Sequence, residues 1–291
     1  MILSFHPCYE ADANIICAGR EPDEKDLAVI RTAEAVILPQ GCRESLYRLS
    51  RQHCRHVFPD YDMRFNYPGK TGQARLFRAL AVPHPETWPF DDLSDYAQRA
   101  GRMPKDGLPL VFKLDWGGEG ETVVLIRSAA DLEAALSTAA AYERSGQRGF
   151  ILQRFVPGTH RTLRVAVTGK RLTAYWRIQE NLLVFGTSVA HGARIDHDSD
   201  PLLRQAGLDL ARDFCRRSKI NLAGFDLIFE NTQSQTRPLF LEINYFFGRT
   251  GLGGSDAFYT MLKTEIDGWL EDLGLSLSPA VKNERPDTIG D

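Results

Sequence analysis

Over the first 68 residues short apolar runs alternate with helical patterns, and after that point the pattern changes to hairpins. ILSF (2–5), NIICAG (14–19) and AVILPQ (35–40) read as strands, whereas DEKDLAVIRTAE (23–34) and RESLYRLSRQHC (43–54) read as amphipathic helices. Strands joined through helices predict a small, mostly parallel sheet. Downstream, Leu76, Phe77 and Leu80 form a helical stripe that Pro83 and Pro85 stop. Residues 109–126 read as strand, glycine-rich turn, strand, and Ser128 with Asp131 forms a capping box for a helix to about Arg144. FILQRFV (150–156) is a strand, and LRVAVTGKRLTAYWRI (163–178) is a hairpin turning at Thr-Gly-Lys. Asp200 and Pro201 open a long helix with an apolar face of Leu202, Leu203, Ala206, Leu210, Ala211 and Phe214. A second hairpin pairs 224–230 with 238–244, a helix carrying Phe258, Leu262, Ile266 and Leu270 follows, and 276–291 read as a loose tail. The expected class is mixed α/β (α+β), in segments 1–68, 69–152 and 153–275.

Composition removes several alternatives. Hydrophobic residues make up 43% and charged residues 25%, as in globular domains, which excludes extended disorder. No run approaches the ~18 apolar residues of a membrane span, and the N-terminus lacks the basic and apolar regions of a signal peptide. Five cysteines without CxxC spacing argue against a disulfide scaffold or a thiolate zinc site and for a cytoplasmic protein. Of 35 basic residues only eight are lysine, yet the net charge is −3, so nucleic acid is not an expected partner. The arginines are worth locating, because guanidinium binds carboxylate and phosphate in bidentate fashion.

Four segments carry chemistry. Gly69-Lys70-Thr71 suggests a Walker A loop, but position 64, where the first glycine belongs, is Arg, and no strand enters the loop. Lys70 can still bind phosphate. Lys113 stands in a strand four residues before Gly117-Gly118-Glu119-Gly120, a turn whose backbone N–H groups can converge on an anion. An ordinary tight hairpin has the same pattern. In FLEIN (240–244) strand period places Phe240, Glu242 and Asn244 on one face. With a turn at 231–237, Glu230 faces Pro238 and Asp226 faces Glu242, and a hard cation between the two acids would relieve their repulsion. Arg164 shares its strand face with small Ala166, which leaves room for an anion.

Taken in order, these residues resemble those of ATP-grasp enzymes, over about residues 69–270 and closest to the RimK-like and glutathione-synthetase-like branch. The resemblance implies an ATP-grasp fold preceded by an α/β domain at 1–68, a nucleotide-binding subdomain at 69–152 and a metal-bearing subdomain at 153–275. It also implies that Lys70 and Lys113 hold ATP phosphates, with Gly117, Gly118, Glu119 and Gly120 forming the loop above them. Gln153, Phe155 and Val156 match the hinge strand that meets adenine, and Asp226, Glu242 and Asn244 match ligands for Mg²⁺, with Mn²⁺ as the alternative. Arg164 matches an arginine near the transferred phosphate. Arg249, in a glycine-rich turn at 245–255, can bind a substrate carboxylate, and His191 and Arg177 are further substrate candidates. The sequence departs from the family at Arg154, Thr162, Thr122 and Ser188, where the family usually has an acid, an acid, a glycine and an asparagine. The implied reaction is ligation of a small-molecule or peptide carboxylate to an amine through an acyl phosphate, releasing ADP and phosphate. A kinase or synthase, or a non-catalytic nucleotide-binding protein of the same fold, is the alternative, and a homo-oligomer is compatible with either.

Overall fold

The computed structural model describes residues 1–102, 107–117, 122–157, 160–181, 185–232, 235–279 and 281. The N-terminal alternation folds as β1 (Ile2–Ser4), β2 (Ala13–Asn14), α1 (Glu24–Thr32), β3 (Ala35–Ile37), α2 (Glu44–His53), β4 (His56–Phe58) and α3 (Asp62–Asn66). Its sheet runs β2-β1-β3-β4 with every pairing parallel. The expected strand at 14–19 shrinks to Ala13–Asn14: Ile16 is exposed, and Ala18 and Gly19 take positive φ in a turn. Asp23 caps α1 through a capping box with Asp26.

The next sheet is antiparallel, with order β5-β8-β6-β7. It is built from α4 (Gly69–Ala79), β5 (Thr87–Phe90), α5 (Leu93–Arg99), β6 (Leu110–Leu114), β7 (Val123–Ile126), α6 (Ala129–Arg144) and β8 (Phe150–Arg154). Ser128 and Asp131 make the expected capping box on α6. Strand alternation turns Leu110, Phe112, Leu114, Phe150 and Leu152 toward a core shared with Ala135 and Ala139 of α6. Lys113, Ile151 and Gln153 turn the opposite way, toward α4.

The largest sheet has the order β11-β10-β9-β12-β13 and is also antiparallel, from β9 (Arg161–Thr168), β10 (Arg171–Ile178), β11 (Arg194–Asp196), β12 (Leu222–Asn231) and β13 (Thr236–Asn244). One face packs on α7 (Pro201–Ser218) and α4 through Leu163, Val165, Trp176, Phe214, Phe225, Phe240 and Phe77. Leu202, expected on the apolar face of α7, is 85% exposed. It lies in the first turn, outside the arc that Ala211, Phe214 and Ser218 bury. Helix α8 (Gly254–Asp272) packs Phe258, Leu262, Ile266 and Leu270 against Ile2, Tyr9, Ala166 and Leu222, tying the first sheet to the last. The chain remains docked beyond 275. Leu277 is buried in the same cluster, and Ser278 donates its N–H to Asp12, at 2.8 Å. No helix among the described residues is long and apolar enough to cross a membrane.

The β12–β13 hairpin holds one departure with consequences for the site. Asp226 faces Glu242 and Gly224 faces Asn244, but Leu227 faces Phe240, so Leu241 is the extra residue of a β-bulge. Nearer the turn, Pro238 faces Phe229 rather than Glu230. The bulge puts Phe240 in the core with Ile243, on the side opposite Glu242 and Asn244, rather than on their face. A strictly alternating strand would have placed all three together.

Candidate functional site

Lys70 and Lys113 are brought together by an aspartate. Asp115, just past β6, accepts the backbone N–H of Thr71 at 2.6 Å, satisfying a donor in the first turn of α4. Gly69 has φ +67, and a Cβ there would lie 2.2 Å from Oδ2 of Asp115. Only glycine permits this close docking. The Gly-Lys-Thr run is thus a helix start pinned to the end of β6, and it sets Lys70 beside the strand that carries Lys113. The cleft between α4 and this sheet is lined by Lys70, Gln73, Lys113, Gln153 and Glu242, with Ala74, Phe77, Ile151 and Leu241 supplying apolar wall.

Both lysines are nearly enclosed, Lys70 being 8% and Lys113 5% exposed. Lys70 donates to the Gly117 carbonyl at 3.0 Å and lies 3.7 Å from Glu242. Burial lowers the Lys113 pKa to about 8; nearby Glu242 opposes the shift and Lys70 adds to it. Two ammonium groups lining one enclosed cleft concentrate positive charge there, which is the charge a polyanion would need. Gly117, with φ +88, closes onto Thr122, whose hydroxyl bonds the Trp116 carbonyl at 2.9 Å. Thr122 therefore ties the start of β7 back to the end of β6. Gly118, Glu119 and Gly120 lie outside the described residues.

The hinge strand divides its roles. Gln153 is buried, and its side-chain amide donates to the Thr87 hydroxyl at 3.0 Å. The N–H of Phe155 donates to the Pro109 carbonyl, so that group is taken up in the sheet edge. Phe155 and Val156 are half-buried, and the Phe155 ring lies 6.4 Å from the ring of Phe185.

On the large sheet one of the expected acids, Asp226, meets two arginines. Arg164 faces both Asp226 and Tyr175 across neighbouring strands, and Arg177 lies two residues beyond Tyr175 on the same face. Arg164 holds Asp226 through Nε at 2.6 Å and Nη2 at 3.2 Å, and Arg177 adds Nη2 at 2.7 Å. Asn244 donates Nδ2 to the same carboxylate at 3.1 Å. Burial pushes the Asp226 pKa up, but the guanidiniums outweigh it and hold the group at about 2. Arg164 and Arg177 thus both neutralise Asp226. Nε of Arg177 is buried without a partner.

Could the three expected ligands still hold a metal? Asp226, Glu242 and Asn244 offer hard oxygen donors on one face, which suits Mg²⁺ or Mn²⁺. Nδ2 of Asn244 is engaged, leaving its amide oxygen, and Glu242 is partly open. No group of three or more His, Cys, Asp and Glu side chains gathers at any point among the described residues. The donor set therefore fits a hard cation through Glu242 and Asn244, with Asp226 behind them.

The 245–255 segment covers the far end of this face. Gly251 packs against Tyr175 so closely that a Cβ would lie 2.3 Å from the ring. Gly251→Ala is expected to destabilise the protein by about 1–3 kcal/mol in urea unfolding, because the ring cannot withdraw from a packed sheet. Arg249 lies over the rings of Tyr259 (4.4 Å) and Phe258 (5.1 Å), and its Nη1 donates to Ser255 at 3.4 Å. The buried His6, just after β1, meets Tyr259 edge-on. Burial lowers its pKa to about 4, with Arg249 and Lys263 adding to the effect. Sequence reasoning missed His6 and Tyr175. The signal for His6 is its place at the carboxyl end of a parallel strand, where open α/β sheets bind ligands. His191 is exposed on a short 3₁₀ turn and tied to Gln179 through its carbonyl, at 2.9 Å.

No protein-family model and no curated protein matches the sequence. Solved structures do. A RimK domain ATP-grasp protein from Sphaerobacter thermophilus aligns over 80% of this chain and 81% of its own, at 18% identity and TM-score 0.56. The chain has the ATP-grasp fold. N5-carboxyaminoimidazole ribonucleotide synthetase from Thermus thermophilus is similar over 95% of this chain and 72% of its own, at 18% identity and TM-score 0.57. D-alanine–D-alanine ligase from Bacillus anthracis covers 89% and 84%, at 12% identity and TM-score 0.56.

Proposed function

We propose that this ATP-grasp protein is an ATP-dependent ligase that joins a carboxylate to an amine or related nucleophile, with ADP and phosphate as products. The observation that carries this reading is the meeting of two buried lysines and Glu242 in one cleft, with Asp226, the cross-strand partner of Glu242, held by Arg164, Arg177 and Asn244. The similarity of the fold to two ligating enzymes supports it.

In this reading Lys70 and Lys113 bind the ATP phosphates, while Gln153, Phe155 and Val156 meet the base. Glu242 and Asn244, with Asp226 behind them, would hold Mg²⁺ or Mn²⁺. When bound, such an ion supplies neutralisation of the phosphate oxygens. Arg164 and Arg177 would meet the charge that gathers as the substrate carboxylate attacks the γ-phosphoryl group, the unpartnered Nε of Arg177 being a donor for an anionic oxygen. Arg249, backed by the α8 N-terminus, orients a carboxylate of the substrate. An amine then displaces phosphate from the acyl phosphate. No side chain is required as a general base, since positioning and electrostatics dominate phosphoryl transfer. The acid and amine are of the small-molecule or peptide class.

Glu242→Gln is expected to cut ADP formation about 10²- to 10³-fold with melting unchanged, judged by coupled assay over a panel of amino acids and dipeptides. Hydroxylamine should trap a hydroxamate from the active substrate. Phosphorylated product without hydroxamate would assign a kinase instead, and nucleotide binding without ADP release a non-catalytic role.

A further inference from the structure

Gln73 is not among the residues with an expected role, yet both ends of its side-chain amide are used on the backbone of one residue, spanning the two peptide units that flank it. Its Nε2 donates to the Ile243 carbonyl at 2.8 Å, and its Oε1 accepts the Ile243 N–H at 2.8 Å. Strand β13 is the edge of its sheet, so the outward backbone groups of Ile243 have no neighbouring strand. The glutamine amide takes the place of that strand, satisfying two groups that would otherwise be costly to enclose. The Phe240 N–H, farther along the same edge, is met by the Pro83 carbonyl at 2.8 Å.

The location makes this more than edge protection. Ile243 stands between Glu242 and Asn244. Gln73 stands one helical turn after Lys70 on the α4 face that lines the cleft. The bulge at Leu241 interrupts regular pairing immediately before this peptide, so sheet bonding alone holds Glu242 loosely. We propose that Gln73 is a positioning residue: it fixes the Ile243 backbone to α4 and so sets Glu242 and Asn244 at a defined distance from Lys70. This role rests on the phosphoryl-transfer reading above. One amide thus links the phosphate-binding helix to the metal-binding strand.

The test uses the full chain with Gln73→Met, which removes both bonds at similar length, and Gln73→Glu, which keeps only the acceptor. Hydrogen exchange of the Ile243 amide should quicken at least tenfold in Gln73→Met and less in Gln73→Glu, while the Phe240 amide stays unchanged. Binding of Mn²⁺ with ADP, read from the free-ion paramagnetic resonance signal, should weaken about tenfold in Gln73→Met. Metal-free affinity for a fluorescent ADP analogue should be retained. Unchanged Ile243 exchange overturns the proposal. Faster exchange with unchanged Mn²⁺ affinity also overturns it, leaving Gln73 as an edge cap. Loosening at both amides with a lowered melting temperature would show general destabilisation and overturn it as well. If the unaltered protein binds no Mn²⁺ with ADP, the phosphoryl-transfer reading falls and takes the positioning role with it. The exchange data would still report the contact.

Discussion

Lys113→Met should lower ADP formation by about 10²- to 10³-fold, the loss typical of removing one preorganised donor from developing negative charge. The fold should survive, because the side chain is already enclosed and methionine fills similar space without the cost of burying a cation. The unaltered protein should show the complementary pH effect. Burial lowers the Lys113 pKa to about 8, so above that pH the ligand-free protein has largely lost this cation. A triphosphate binds the protonated form, so binding takes up a proton and the ATP dissociation constant rises by up to about tenfold per pH unit above 8. Isothermal titration in buffers of different ionisation enthalpy measures the proton directly. In Lys113→Met the alkaline rise should disappear. A persistent rise would assign the titration to another group.

Asp226→Asn should have the largest effect on stability. It leaves Arg164 and Arg177 facing each other without a counter-charge in a site where Arg164 and Asp226 are 5% and 6% exposed. Removing one partner of a buried ion pair costs roughly 3–5 kcal/mol. Denaturant unfolding at neutral pH measures it. Acid should imitate the substitution in the unaltered protein. The folded-state pKa is about 2, below the ordinary carboxylate value of 3.8, so the folded form binds this proton less readily than the unfolded form. The resulting stability is complete above about pH 4 and is lost as pH falls from about 4 to 2. Asp226→Asn should show a shallower decline across that window. An equal slope in both proteins would place the acid sensitivity at other carboxylates.

How much of this was legible in the residues depends on the range of the interaction. Helices α1, α2, α6 and α7 and the two long hairpins follow from local periodicity and capping, and they appear close to the expected bounds. The hairpin itself was readable, but its register at the turn is one residue off, with Glu230 facing Arg237 rather than Pro238, and it is the extra Leu241 that returns Asp226 to Glu242. The bulge was not, since Leu241 carries no glycine or other local mark of an unpaired residue. It moved Phe240 to the core face. β5 is hidden in the sequence because Pro89 reads as a strand breaker, and β2 is short because the chain turns away through Ala18 and Gly19, both at positive φ. In the site, Lys70, Lys113, Arg164 and the acids stood out by type and order. Gln73 did not, because an amide on a helix gives no clue to the peptide it will meet 170 positions later. Likewise, Arg177 stands out in the sequence only as a substrate candidate, and its hold on Asp226 appears only when β9, β10 and β12 lie side by side.

The bulge also bears on how this strand can vary in length. Phe240 points into the core and Glu242 into the cleft, which are the directions two consecutive residues of an ordinary strand would take. Leu241 is the spare residue between them. Its deletion would leave inward Phe240, outward Glu242, inward Ile243 and outward Asn244 in place. The hairpin is therefore expected to lose this one residue without redirecting the side chains on either side of it. Counting a fixed spacing along this strand in distant sequences would misplace the acid by one position, although its place in the cleft stays the same.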